Sequence, residues 1–292
     1  MSHGAWIVLT ASLVGISCGI VGSFLILRRM AMLSDAISHT VLLGIVGAFL
    51  VTRTLDGVVM LIGAVIVGLF TAFLVQSLSN RGVQEDAAIG VVFTALFALG
   101  VVLVSLYARN VHLDVQHVLY GEIAFVPFNT TVIGGVELPS AVWIVGGVLL
   151  LNLLLLTLFY KEFKLCAFDP ATASALGISA VAMHYLLMGM VSLTTVSAFS
   201  SIGAILVVGM LIVPGATAYL LTDRLNRMLL GSAVTGVLSA VIGYQAAVWL
   251  NVSISGAMVS VAGLLFAIAL FLSPKHGILF RQWRLRRSST PS

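Results

Sequence analysis

The feature that most constrains this chain is a succession of apolar runs, each close to the ~20 residues a helix needs to cross a hydrocarbon core. They fall at 5–27, 30–51, 57–79, 87–106, 140–160, 180–199, 201–221, 228–250 and 255–272. In lipid every backbone N–H and C=O must be satisfied within the protein, so a run of this length reads as a helix. Composition points the same way. Hydrophobic residues make up 60% of the chain and charged ones 8%, against about 25% charged in soluble domains. The expected fold is an all-α polytopic membrane protein of about eight or nine transmembrane helices, in one transmembrane domain covering residues 1–292. No polar stretch is long enough to make a soluble nucleotide-binding or catalytic domain. The basic residues are scattered over loop ends and the tail, which excludes a nucleic-acid footprint.

The linkers carry the orientation. Arg28, Arg29, Arg81, Lys161, Lys164, Arg224, Arg227, Lys275, Arg281, Arg284, Arg286 and Arg287 fall on one side if nine spans alternate, and Arg53 and Arg109 on the other. Twelve against two is a strong positive-inside asymmetry. It places the N-terminus outside and the tail, 273–292, in the cytoplasm. The first run lacks the basic segment that precedes a cleaved signal peptide and is long enough to span, so it is expected to remain as a helix. Gly15, Gly19 and Gly22 give that helix a small-residue face suited to close packing. Cys18 and Cys166 suggest neither a disulfide nor a thiolate metal site.

Two connections leave alternatives open. Ser197–Ser201 is barely a loop, so the sixth and seventh spans form either a tight hairpin or one broken helix. Within the outside segment Tyr107–Pro139, the stretch Val115–Phe128 is too short to span and either re-enters or lies along the surface.

Asp35 and His39 lie at the start of the second run, spaced i, i+4, which on a helix puts both on one face a turn apart. An ionisable residue within a span is a functional candidate by default. Carboxylate oxygen and imidazole nitrogen together suit a divalent first-row metal. A second reading is a plain hydrogen-bonded pair that neutralises a buried acid. The other histidines are weaker candidates. His184 reads as interfacial, His112 and His117 with Asp114 as a solvated outer loop, and His3 and His276 as inert terminal residues.

On the cytoplasmic side, Asp169-Pro170 is a helix start, a cap residue followed by proline at the first helical position, and Gly177 is a matching stop. A capped helix of about two turns, 168–177, is expected between two spans. It either docks a cytoplasmic partner or merely orders a loop.

With these residues in view, the chain resembles the permease subunits of manganese, zinc and iron ABC importers. The resemblance rests on Ser34-Asp35-Ala36-Ile37-Ser38-His39 preceded by Arg28-Arg29-Met30-Ala31, and on the stretch Gly203 to Ala218 around Pro214. Weaker support comes from Glu85-Asp86-Ala87-Ala88-Ile89-Gly90 and from Phe168-Asp169-Pro170 through Leu176-Gly177. The match is collinear from about residue 5 to 272. It implies the metal-importer permease fold, similar to type II ABC importers, in a bacterial plasma (inner) membrane. It implies a second permease subunit, the same or a paralogue, two ATP-binding cassette subunits inside, and an extracellular or periplasmic metal-binding protein outside. It identifies Asp35 and His39 as the intramembrane metal residues, and Phe168, Asp169, Pro170, Ala173, Leu176 and Gly177 as the ATPase-coupling stretch. Where that family often has an aspartate after Tyr-Leu-Phe-Gly, this chain has Tyr120-Gly121-Glu122, making Glu122 a secondary candidate.

The mechanism expected from this resemblance follows from donor counting. One carboxylate and one imidazole cannot hold a divalent ion tightly, whereas two copies facing each other supply two of each, a set suited to Mn²⁺, Zn²⁺ or Fe²⁺. Manganese is expected from the look of the first third of the chain. The metal is cargo, and no permanently bound cofactor is expected. Nor is enzymatic activity, since no G-x-x-x-x-G-K-[ST] loop occurs in the sequence and ATP hydrolysis would fall to partner subunits. The alternative class is a gradient-driven secondary transporter, which would more often show repeat symmetry and further intramembrane charges. An intramembrane metalloprotease would need a motif such as His-Glu-x-x-His, which the sequence lacks.

Overall fold

The computed structural model describes residues 3–53, 57–107, 123–133 and 136–273. Four long helices come first: α1 (His3–Leu27), α2 (Ala31–Thr52), α3 (Gly57–Ser79) and α4 (Glu85–Tyr107). After a 3-10 turn at Ile123–Phe128 and a hairpin of β1 (Thr130–Ile133) and β2 (Val136–Pro139), α5 covers Ser140–Leu158. Two short helices follow, α6 (Tyr160–Phe168) and α7 (Pro170–Ala175). The chain then forms α8 (Ala180–Ile202), α9 (Ala204–Leu221), α10 (Leu225–Leu250) and α11 (Ile254–Leu272). Among the described residues, eight helices are long and apolar enough to cross a membrane, and α9 carries a shorter apolar stretch, Leu206–Leu221. The fold is therefore the polytopic helical one the apolar runs predict.

Lipid is as apolar as leucine, so helix association in a membrane depends on close packing and a few polar contacts rather than on burial from water. The α1 glycines show how. A Cβ on Gly15 would lie 2.7 Å from the carbonyl oxygen of Gly236, and one on Gly19 would lie 2.9 Å from that of Ser232. The two sequences run in opposite order through these contacts, so α1 and α10 are antiparallel. Gly22 meets Leu211 and Gly215 meets Ser23, which makes α1 and α9 parallel. Only residues without a side chain allow these backbones to touch. Polar contacts supplement the packing. Thr71 Oγ1 donates to Thr40 Oγ1 at 2.9 Å between α3 and α2, and Asn152 Nδ2 donates to Thr194 Oγ1 at 2.7 Å between α5 and α8. In membranes such bonds contribute on average about 0.6 kcal/mol each.

The link between α8 and α9 is a single residue, Gly203, with φ 84° and ψ 157°, a conformation that glycine alone adopts without strain. Phe168, just upstream of α8, lines a cleft with Leu27, Tyr219 and Thr222, so α8 begins at the end of the bundle where α9 finishes. The chain reverses at Gly203. Of the two alternatives for this boundary, the tight hairpin is the one observed.

Two features were not specified by the sequence reading. Of the stretch expected to re-enter or lie along the surface, Val115–Phe128, only residues from 123 onward are described. Its 3-10 turn buries Ile123 and Val126 against Ile7, Ala11 and Val14, and the hairpin that follows pairs Thr130 with Pro139 and Thr131 with Leu138. Strands this short carry too little alternation to be read from sequence. The second is α6, a helix in the connection ahead of the expected capped helix. Its charged residues masked an amphipathic turn that buries Phe163 and Cys166 beneath it.

Candidate functional site

α2 opens after Met30 without a side-chain cap, and Asp35 and His39 stand in its first turns. Ser34 and Ser38, which flank this pair on the buried face, turn inward and donate to the carbonyls of Ala31 (2.6 Å) and Ser34 (2.8 Å). Their hydroxyls are thus satisfied within α2, and the more open side of the helix is left to the acid and the imidazole. His39 Nε2 lies 3.5 Å from Asp35 Oδ1, with the two side chains 29% and 42% exposed. That distance exceeds the 2.7–3.2 Å typical of a good N–H···O bond, so the pair is not closed on itself. It does suit chelation. An ion bonded to both atoms at about 2.0–2.2 Å would subtend an angle of about 110° at the metal, close to tetrahedral. Among the described residues no group of three or more His, Cys, Asp or Glu side chains that could hold a metal is found, so the pair stands without a third donor there. Both donors are partly open to the outside of the subunit.

Aromatic residues that sequence reasoning passed over complete the surroundings. The His39 ring packs against Phe93 of α4 with centroids 5.2 Å apart and against Phe97 edge-on at 5.8 Å. Phe93 and Phe97 are themselves spaced i, i+4 and lie 6.1 Å apart. That spacing, just beyond the Glu85–Gly90 stretch, was the one signal in the sequence that could have found them.

The coupling candidates lie near the end of the bundle where α1 finishes and α2 begins, with Phe168 beside Leu27. Phe168 is the last residue of α6, not the first of a two-turn helix, and the capped helix is the six-residue α7. The break is at Asp169, whose φ of −147° leaves the helical region. Its side chain accepts from Thr172 N at 3.0 Å and from the Thr172 hydroxyl, an N-cap with Pro170 following at the first helical position. These Thr172 bonds hold the Asp169 carboxyl below its ordinary pKa. At the other end Gly177, with φ 80°, turns the chain out of the helix. Ala173 is fully buried, anchoring α7 to the bundle, while Phe168 (58% exposed) and Leu176 (68%) project outward. α6 is tied in by Phe24 against Phe163 at 5.6 Å and by a hydrogen bond between Tyr160 and Asn226.

Glu122, His112, His117 and Asp114 lie outside the described residues, as do His276 and the tail from 274 onward. His184 is 7% exposed, rests against Tyr185, and its Nε2 has no hydrogen-bond partner among the described residues.

The comparisons with known proteins agree on one kind of molecule. The model of the ABC 3 transport family matches residues 4–273. The chain is 61% identical over 285 residues to the manganese transport system membrane protein MntD of Bacillus subtilis, with 97% of each chain covered. It is 46% identical over 276 residues to the zinc transport system membrane protein TroD of Treponema pallidum, covering 94% of this chain and 75% of that one. Among solved structures, PsaBC from Streptococcus pneumoniae in complex with Fab is similar over 98% of this chain and 96% of that chain, with a TM-score of 0.81 and 33% identity.

Proposed function

The chain belongs to the ABC 3 transport family, and from that premise we propose that it is the permease subunit of an ATP-driven importer whose cargo is Mn²⁺. The observation that carries the reading is the Asp35–His39 pair, two donors 3.5 Å apart at chelating geometry and open toward the outside of the subunit. Two donors are half of a tetrahedral set. A second permease subunit facing this one supplies the other half, and two carboxylates then offset the +2 charge where the dielectric is low. A site made of two half-sites also releases its ion readily, because separating the halves removes half the ligands at once. The manganese assignment draws on the name of the Bacillus subtilis relative; by donor type alone, oxygen and nitrogen ligands bind Zn²⁺ at least as tightly.

The energy source lies in partner subunits. ABC ATPases dock on Phe168 and Leu176, the apolar side chains that the buried Ala173 holds out from the bundle. ATP-driven closure of the ATPases moves α7, and the bundle shifts between its two facing states. A metal-binding protein delivers the ion on the other side. The excess of basic residues in the loops at the α7 end supports a cytoplasmic position for that end and an outside N-terminus.

Purified complex in proteoliposomes tests the proposal. ATP inside the partner compartment should drive Mn²⁺ accumulation, with Zn²⁺ competing. Metal uptake by this chain without any ATPase, driven by an imposed proton gradient, would establish a secondary transporter instead.

A further inference from the structure

We infer that Phe93 and Phe97 of α4 form an aromatic clamp that sets the orientation of the His39 imidazole, making them positioning residues for metal capture; this rests on the reading of His39 as a metal donor. The geometry is specific. His39 meets Phe93 at 5.2 Å with a 44° tilt and Phe97 at 5.8 Å with a 73° interplanar angle, one contact oblique and one edge-on. Two rings approached at different angles fix a third in both rotation and tilt, which a single contact or an aliphatic wall would not. Their i, i+4 spacing puts both on the α2-facing side of α4. The helices are held at that distance just beyond the clamp, where a Cβ on Gly100 would come within 3.1 Å of the Leu43 backbone nitrogen. α2 and α4 run parallel through these contacts, so the clamp and the close approach act on successive turns of the same helix pair.

The consequence lies in what the clamp leaves free. With its ring packed against carbon, His39 keeps Nε2 directed toward Asp35 Oδ1 at 3.5 Å. An unclamped imidazole would sample other χ1 and χ2 wells and would have to be ordered each time an ion arrived. The clamp meets that ordering cost during folding. Its removal should therefore weaken capture of the ion more than it slows the transport cycle, because the two rings act on the donor His39 and not on the coupling helix α7.

The test measures metal-concentration dependence of ATP-driven Mn²⁺ uptake by the reconstituted complex. Phe93→Leu and Phe97→Leu keep apolar volume in positions that are only half buried, so assembly should persist. The expected result is an apparent KM raised about three- to ten-fold, the scale of one aromatic pair, with maximal uptake within about twofold of the parent. Phe93→Tyr, which restores a ring, should return KM to near the parent value. An unchanged KM in both leucine variants overturns the clamp, as does a tyrosine variant no better than leucine. A loss confined to maximal uptake also overturns it. His39→Leu is assayed alongside. If that variant transports normally, the metal reading itself fails. If it is inactive while the leucine variants of Phe93 and Phe97 are unaffected, only the clamp fails.

Discussion

Gly22 in α1 packs directly onto the backbone of Leu211 in α9, close enough that a Cβ on Gly22 would overlap the Leu211 carbonyl oxygen. The obstacle is backbone rather than a movable side chain, so the two helices would have to separate to admit any larger residue. Overpacking of this kind costs about 1–3 kcal/mol or more. Gly22→Val should lower the detergent-solubilised melting temperature and reduce membrane levels. Gly47→Ala, where an added Cβ would face open space rather than a neighbouring helix, should leave both unchanged. Equal behaviour of the two variants would show that the α1–α9 contact is not a packing constraint.

The Asp35–His39 pair separates a metal site from a structural pair through the double variant. Asp35→Asn removes the charge that offsets the ion, and His39→Leu removes the nitrogen donor at little cost in lipid. If the pair were only structural, Asp35→Leu/His39→Leu would be tolerated, since no unsatisfied polar group remains. The expected outcome is a variant that reaches the membrane at parent levels and takes up no Mn²⁺. Radiolabelled manganese uptake at matched expression checks it, and normal uptake would falsify the metal assignment.

Asp169 gives a pH prediction of definite sign. Its folded pKa is depressed, chiefly by the Thr172 hydroxyl and also by the Thr172 N–H. Its contribution to α7 is therefore complete above the ordinary carboxylate pKa and is lost as pH falls through the lowered folded value. ATPase association should hold from neutral pH down through the usual carboxylate range and weaken only below it. Asp169→Asn, which can still cap, should associate at neutral pH and lose the acid transition, whereas Asp169→Ala combined with Gly177→Leu should associate poorly throughout. Copurification of the ATPase across a pH series checks this. Undiminished association of the double variant would leave α7 as an ordering turn with no docking role.

The orientation prediction is independent of the site. With the basic loops in the cytoplasm, a cysteine at Thr290 should resist an impermeant thiol reagent in intact cells and react after permeabilisation. The native Cys18 and Cys166 are both buried, so the background should be low. Reaction in intact cells would invert the topology.

What the sequence determined by itself follows from local rules. Nine apolar runs fix the helices because lipid offers no other way to satisfy a backbone. The i, i+4 spacing of Asp35 and His39 fixes their shared face because helical geometry is periodic, and Asp169-Pro170 with Gly177 marks the ends of α7 because capping is a matter of adjacent residues. The tertiary structure decided what depends on contact between distant residues. Phe93 and Phe97 meet His39 only because α4 packs parallel to α2; their i, i+4 spacing gives α4 an aromatic face, but not the partner that face meets. Gly203 could have broken a helix or reversed it, and the reversal is set by α9 docking against α1 through Gly22 and Gly215. α6 became helical because Phe163 and Cys166 found a buried face to cover. Apolar spans in lipid gain nothing from hydrophobicity when they choose neighbours. Their pairing is written in the steric fit of small residues, which shows only when the helices are brought together.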